Sequence, residues 1–285
     1  MTDGPAPMVT VAAALATART MGVDRLDAQL LLARVLNRPR SWLLAHDEAP
    51  LDAEQWRQFQ GQLARRAGGE PLAYLQGEKE FHGLTLSVNP AVLVPRPDTE
   101  VLVDWALELL GGTIGDALAE VASPLVVDLG TGSGAIALAV KNRHPRASVM
   151  GTDNSPAALA VAEANAHRLG LDVGFAAGSW WAALGGRRFH LVLSNPPYIA
   201  AGDPHLPALR HEPAAALTPG GDGLGALQQI VHGAPRHLLT GGWLLMEHGF
   251  EQAEAVRRLL HAEGFTDIET RHDLGGQPRC TGAHR

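Results

Sequence analysis

Cysteine is nearly missing from this chain: Cys280 is the single one among 285 residues. One thiol cannot close an internal disulfide, so the expected compartment is the reducing cytoplasm. Long apolar runs are missing too. The longest, such as Leu125-Val126-Val127 and Trp243-Leu244-Leu245-Met246, fall far short of the ~20 residues that cross a bilayer, so no membrane association is expected. The opening MTDGPAPMVT has an acid and no basic stretch, and does not read as a signal peptide. Positive charge is in deficit: Lys and Arg total 23 against 30 Asp and Glu, a net charge of −7. The strong positive field that holds proteins on polyanions is therefore not expected, nor is a direct nucleic-acid partner. Residues 1–80 hold 9 basic and 10 acidic side chains, and residues 81–285 hold 14 and 20, so neither part is a basic module. Thirteen histidines are present, but no HxxxH pair or Cys cluster gives them metal-ligand spacing, so no metal is expected.

What is present is enough for a packed core: 46% of residues are hydrophobic and 19% charged. Residues 8–75 repeat apolar positions at i, i+3, i+4 and i+7 in VTVAAALATARTM, RLDAQLLLARVL and AEQWRQFQGQLARR. Breaks at Gly22-Val23-Asp24, Asn37-Arg38-Pro39 and Ala49-Pro50 divide them into four or five short helices, a small bundle over residues 1–79. Residues 80–95 read as a hairpin or extended linker. HGLTLSV alternates as a strand does, Asn89-Pro90 turns the chain, and 91–94 is extended again. Asp98 or Thr99 can then cap a helix running to about Leu110.

Beyond it, PLVVDLG, SVMGTD, DVGFAAG, HLVLSNPPY and WLLMEHG alternate with helical segments. This rhythm predicts an α/β domain over 96–285, with a mostly parallel sheet covered on both faces. The tail from Phe265 adds one or two edge strands in this reading.

Two motifs carry the chemistry. The first strand ends in Asp128-Leu129-Gly130-Thr131-Gly132-Ser133-Gly134, then a helix begins. The glycines let the backbone turn sharply and let a ligand come close, and the helix N-terminus offers free N–H groups. About 20 residues on, Asp153 ends the second strand, where an acid can accept from ribose hydroxyls. Ser155-Pro156 then reads as N-cap and first helical position. A dinucleotide satisfies the same glycine spacing, and a bare turn is the plainer alternative. Asp128 leans the choice toward a cationic ligand such as S-adenosylmethionine, because an acid ahead of the glycines sits badly against a pyrophosphate.

The second motif is Asn195-Pro196-Pro197-Tyr198 at the end of strand Phe189–Ser194. Two prolines fix φ, remove two N–H donors and aim the local carbonyls stiffly. The Asn195 side-chain carbonyl and the Pro196 carbonyl can accept the two N–H groups of one amide or exocyclic amine, and Tyr198 offers a flat face. An amide nitrogen is a poor nucleophile. Two acceptors favour its pyramidal form and stabilise the positive charge that builds there during methyl transfer. The plainer reading is a rigid turn with a packed tyrosine.

With LAYLQGEKEFHGL (72–84), VLVPRPDTEVLV (92–103), VVDLGTGSGAIAL (126–138), NPPY and GGWLLMEHG (241–249), nearly the whole chain resembles the release-factor glutamine methyltransferase family. NPPY alone is shared by many amino-methyltransferases. The PRPDTE segment and the helical N-terminal part are far more specific. The resemblance implies a Rossmann-like S-adenosylmethionine-dependent methyltransferase domain behind a small helical-bundle domain that helps dock the substrate. It implies N5 methylation of the glutamine in the Gly-Gly-Gln loop of class 1 peptide chain release factors, with S-adenosyl-L-homocysteine as product. Gly130, Thr131, Gly132, Ser133 and Gly134 would cradle the cofactor's methionine part, Asp153 its ribose and Trp180 its adenine region. Asn195 would border cofactor and substrate, and Asn195, Pro196, Pro197 and Tyr198 would hold the glutamine, with Asn195, Pro196 and Tyr198 serving the chemistry. Ser179 stands where the family usually has an acid. Arg96, Asp98 and Glu100 would help shape the pocket. A base-directed amino-methyltransferase is the alternative. Nothing in the sequence demands an oligomer, and a monomer is expected.

Overall fold

The computed structural model describes residues 8–111, Leu118 and 121–285, and it divides into two compact units, Met1–Gly77 and Glu78–Arg285. Most of the opening segment read above for a targeting signal, residues 1–7, lies outside the described residues.

The first unit is helical. β1 (Val9–Thr10) leads into α1 (Val11–Thr20), α2 (Arg25–Val35) and α3 (Arg40–Ala45), then β2 (Pro50–Leu51), α4 (Ala53–Ala67) and α5 (Leu72–Gln76). Asp24 caps α2 by accepting from Leu26 N at 2.7 Å. Asp52 and Gln55 form a reciprocal capping box on α4. Gly77 takes the left-handed conformation that ends α5, at φ 74°. The apolar stripes meet in a core that includes Val11, Leu31, Leu32, Leu43, Phe59 and Leu63.

The second unit opens with the hairpin β3 (Glu78–Phe81) and β4 (Leu84–Ser87). Buried Asn165 holds it: Oδ1 accepts from Ser87 N, and Nδ2 donates to Ser87 O and Ser133 O. One side chain thus ties the hairpin to the glycine loop. The expected second extended piece at 91–94 does not pair. Val92 N donates to Asn89 O in a turn, and an irregular stretch follows.

Pro97–Thr99 form a 3-10 turn that enters α6 (Glu100–Gly111). Asp98 and Thr99, expected as caps, have their side chains engaged elsewhere. The remaining elements are β5 (Leu125–Leu129), α7 (Ala135–Arg143), β6 (Ser148–Asp153), α8 (Pro156–Leu169), β7 (Val173–Ala177), β8 (Phe189–Ser194), α9 (Ala214–Leu217), α10 (Gly225–His237), β9 (Leu238–Glu247), α11 (Ala253–Ala262), β10 (Thr266–His272) and β11 (Pro278–His284).

The strands form one seven-stranded sheet in the order β10-β11-β9-β8-β5-β6-β7. The run from β9 to β7 is parallel, and β10 and β11 add an antiparallel edge. Val126, Val127 and Leu129 of the central strand are all buried, as a strand covered on both faces requires. One face packs on α6 and α7 through Leu102, Trp105 and Leu138, the other on α10 and α11 through Leu227, Ile230 and Val256.

Candidate active site

The chain leaves β5 for β6 on one side and later reaches β8 on the other. The carboxyl ends of β5 and β8 therefore flank the sheet's switch point, where open α/β sheets bind ligands. The glycine loop follows β5 and Asn195 follows β8. Ser194 Oγ donates to Leu129 O at 2.7 Å and locks these two strand ends together.

Gly130, Gly132 and Gly134 all have positive φ, at 74°, 55° and 83°, a region costly for any residue with a Cβ. Gly130 N and Thr131 N both donate to Thr152 O at 2.8 Å. Asp153 fixes the loop from the tip of β6: Oδ2 accepts from Gly132 N and Oδ1 from Ser155 N, both at 2.9 Å. A carboxylate oxygen accepts more than one donor, so both keep capacity for the hydroxyls of a ribose. A Cβ on Gly132 would meet nothing within 4 Å, so open space lies beside the backbone there. Over Gly130 the indole of Trp180 closes in, 3.3 Å from where a Cβ would stand. Trp180 itself holds φ 47°, uncommon for a bulky side chain.

Gly130, Gly132, Asp153 and Trp180 line a cleft together with Ser155, Ser179, Asn195 and Pro197. Val92, Leu93, Ala158 and Ala216 supply apolar wall. The described lining residues include Asp153 but no Lys or Arg, so a pyrophosphate would find no counter-charge and a cation would find a partner. The cleft thus suits an adenosine carrying a positive charge. Ser179 lines it, where its hydroxyl is available to such a ligand.

Asp128 is not among the residues that line the cleft, and its Oδ1 is buried with no hydrogen-bond partner. It is fully buried beneath the loop, and its Oδ2 accepts from Thr131 Oγ1 at 2.6 Å. Burial pushes its carboxyl up to about 7, against the opposing bond from Thr131. Gly134 also faces the protein: a Cβ there would meet Leu138 Cδ1 at 2.9 Å and Ala162 Cβ at 3.3 Å. Thr131 and Ser133 are buried, and they line a smaller neighbouring cavity with Gly130, Gly132 and Asn195.

A second cavity adjoins the cleft and is lined by Arg96, Asp98, Asn195, Pro196, Tyr198 and Glu247, among others. Asn195 lines both. The two prolines part company: Pro196 borders the second cavity and Pro197 the cleft. Asn195 Nδ2 donates to Thr99 Oγ1 at 3.1 Å, which leaves Oδ1 as the free end of the amide. The Tyr198 hydroxyl donates to Glu247 Oε1 at 3.0 Å, and its carbonyl accepts from Gln252 Nε2 at 3.0 Å. Burial, then the neighbouring Glu247, raises the Tyr198 phenol above its ordinary range. Burial likewise lifts Glu247 to about 7, opposed by Thr99, Tyr198 and Arg279. Arg279 pairs with Asp273 at 3.0 Å and Asp98 at 3.4 Å. Arg96 pairs with buried Glu212, which also accepts from Val94 N at 3.0 Å. Glu100, by contrast, accepts from His82 N and so holds the hairpin.

Thr99, Glu212, Glu247 and Gln252 are not legible as site residues in the sequence. No spacing links them to the two motifs, and only the EHG ending of a strand at the ligand edge offered a signal. His248 is satisfied: its Nδ1 lies 2.9 Å from Gly249 O and its Nε2 2.7 Å from Thr281 Oγ1. Trp181 packs away from the cleft, stacked on His237 with ring centroids 4.8 Å apart. Among the described residues no group of three or more His, Cys, Asp or Glu is arranged to hold a metal ion, and no helix is long and apolar enough to cross a membrane.

Comparison with known proteins gives a consistent picture. Residues 9–77 match the family model described as PrmC N-terminal domain, and residues 103–262 that of the methyltransferase small domain. The chain is 50% identical over 269 residues to a release factor glutamine methyltransferase of Bordetella pertussis, covering 92% of this chain and 96% of that one. It is 46% identical over 280 residues to the protein of that name from Xylella fastidiosa, covering 97% of each. Among solved structures, a methyltransferase from Pyrococcus furiosus superposes with a TM-score of 0.52 at 16% identity, over 71% of this chain and 89% of that one, a likeness of fold.

Proposed function

The chain belongs to the release factor glutamine methyltransferase family, and from that premise we propose that it methylates the N5 amide nitrogen of the Gly-Gly-Gln glutamine in class 1 peptide chain release factors. The observation that carries this reading is the position of Asn195, shared by a cleft suited to a cationic adenosine and a second cavity lined by the NPPY turn.

When bound, S-adenosyl-L-methionine supplies an electrophilic methyl group on a sulfonium. The residues that would hold it fit it. Asp153 keeps acceptor capacity for the ribose, Trp180 gives an apolar wall, and the backbone at Gly130 and Gly132 is bare of side chains. The chain's own part in the reaction is orientation. Thr99 fixes the Asn195 amide so that Oδ1 points away from it. Oδ1 and the Pro196 carbonyl would accept the two N–H groups of the substrate amide, turning its lone pair out of conjugation and stabilising the charge that develops on nitrogen. The Tyr198 ring, held at its hydroxyl by Glu247 while Gln252 holds the residue's main-chain carbonyl, would pack against the planar amide. The helical unit would help dock the release factor. All these groups lie on one chain, so a monomer suffices, and the reading sets the protein in the cytoplasm beside its substrate.

Incubation with labelled S-adenosylmethionine and a release factor tests the reading. Label is expected on the Gly-Gly-Gln glutamine and lost when that residue is replaced. Equal labelling after replacement, or label transferred only to RNA or DNA, would overturn it.

A further inference from the structure

Glu247 ends β9 and is 1% exposed, yet it lines the second cavity. Its two oxygens differ. Oε1 accepts from the Tyr198 hydroxyl, while Oε2 is buried with no hydrogen-bond partner. A buried carboxylate oxygen without a donor is costly, and most are satisfied. Such an atom persists where the missing donor arrives with something else. The residue that carries it lines the cavity that Pro196 and Tyr198 also line. Arg279 is turned to Asp273 and Asp98, and the Asn195 amide donates to Thr99; the Thr99 hydroxyl favours the Glu247 carboxylate but makes no hydrogen bond to Oε2.

We propose that Glu247 is a substrate-contacting residue whose free Oε2 accepts a hydrogen bond from an N–H of the peptide segment carrying the acceptor glutamine. The inference rests on the methyl-transfer reading above and deepens it. The two amide protons of the glutamine side chain are matched by Asn195 and Pro196, so the donor to Glu247 is a main-chain N–H of the loop. Glu247 would then fix where the loop enters while NPPY fixes the reacting amide. The same carboxylate, anchored through Oε1, keeps the Tyr198 ring in place.

The charge state of Glu247 decides which way the bond runs. As a carboxylate it accepts at Oε2; once protonated it presents an O–H donor to a donor. The groups around it are Asp98 and Thr99 from the 3-10 turn, Tyr198 after β8, the adjoining His248, and Arg279 and Cys280 from β11. Arg279 favours the carboxylate, while burial and Asp98 oppose it.

Steady-state kinetics of the full-length enzyme on an intact release factor tests the proposal. Glu247→Gln keeps shape and one acceptor but puts an NH₂ at one of the two positions. KM for the release factor is expected to rise about tenfold or more, with a smaller fall in kcat and an unchanged S-adenosylmethionine Kd. In the native enzyme KM should rise as pH falls through about 7, and this dependence should flatten in the variant. A native KM that is flat from about pH 6 to 8 overturns the proposal without any variant, as does a variant whose KM matches the native one. A loss confined to kcat assigns Glu247 to the chemistry or the fold and also overturns it. Failure of the native enzyme to label any release factor would instead defeat the functional reading beneath it.

Discussion

Asn195 gives its amide hydrogen to the hydroxyl of Thr99 at 3.1 Å, across 96 positions of sequence. The bond joins the two segments that most sharply characterise this chain, NPPY and PRPDTE. It also orients the Asn195 amide, since a side chain that donates toward Thr99 must present its oxygen the other way. Thr99→Val keeps the shape and removes the acceptor. Turnover should fall about tenfold, the worth of one lost hydrogen bond, with cofactor affinity intact. Asn195→Ala should cost about 10²–10³ in kcat, as the loss of a charge-stabilising group does. The double variant should be no worse than Asn195→Ala. Additive losses in kcat would separate the two residues.

Asp153 holds the loop through Gly132 N and Ser155 N, and its remaining lone pairs are the proposed acceptors for the ribose. Asp153→Ala should weaken S-adenosylmethionine binding about 10- to 100-fold by calorimetry, the range for a hydrogen bond to a charged group. A normal affinity would move the ribose site elsewhere.

Gly223 has φ 84°, and a Cβ there would stand 2.3 Å from the Tyr198 carbonyl oxygen and 3.1 Å from Ala200 N. These are backbone atoms of the NPPY turn and its continuation, with no flexible end to swing aside. Gly223→Ala should therefore abolish most activity on the release factor while the glycine loop still binds cofactor. Wild-type activity in that variant would show that the turn tolerates displacement.

Asp128 and Glu247 are both buried carboxyls lifted to about 7 by their burial. Folded pKa values above the unfolded ones near 4 mean that the native state holds these protons more tightly. Their contribution to stability is fully present below about pH 4 and is lost as pH rises through about 7. Each raised carboxyl accounts for on the order of 4 kcal/mol at most, because one pKa unit is ~1.4 kcal/mol. Between about pH 4 and 7 this contribution to the Tm of the ligand-free protein should decline, and Asp128→Asn should flatten that decline. A parallel slope in the variant would remove Asp128 as its source.

Glu212 is buried against Arg96 and Val94 N. Arg96→Ala would leave that carboxylate with the backbone bond but without its cation. A loss of roughly 3 kcal/mol in unfolding free energy is expected by denaturant titration, since breaking a buried pair strands a charge. An unchanged midpoint would mean that solvent replaces the guanidinium at no cost.

The sequence by itself determined the helical bundle, the α/β alternation and the two motifs, because these are local properties. Apolar periodicity, turn residues and capping act over a few positions, and Ser155-Pro156 starts α8 as its residue types require. Tertiary structure alone decided which polar groups meet. Asp128 is adjacent to the glycines in sequence, but the fold buries it under Thr131 instead of turning it to the cleft. Thr99 reads as a helix cap, but parallel strand order brings it to Asn195. Glu247 follows an ordinary buried strand, and only the register of β9 between β8 and β11 sets it against Tyr198 and near Arg279. Burial, and with it the charge state of these carboxyls, depends on what covers them from distant parts of the chain. No pattern within one segment carries that information.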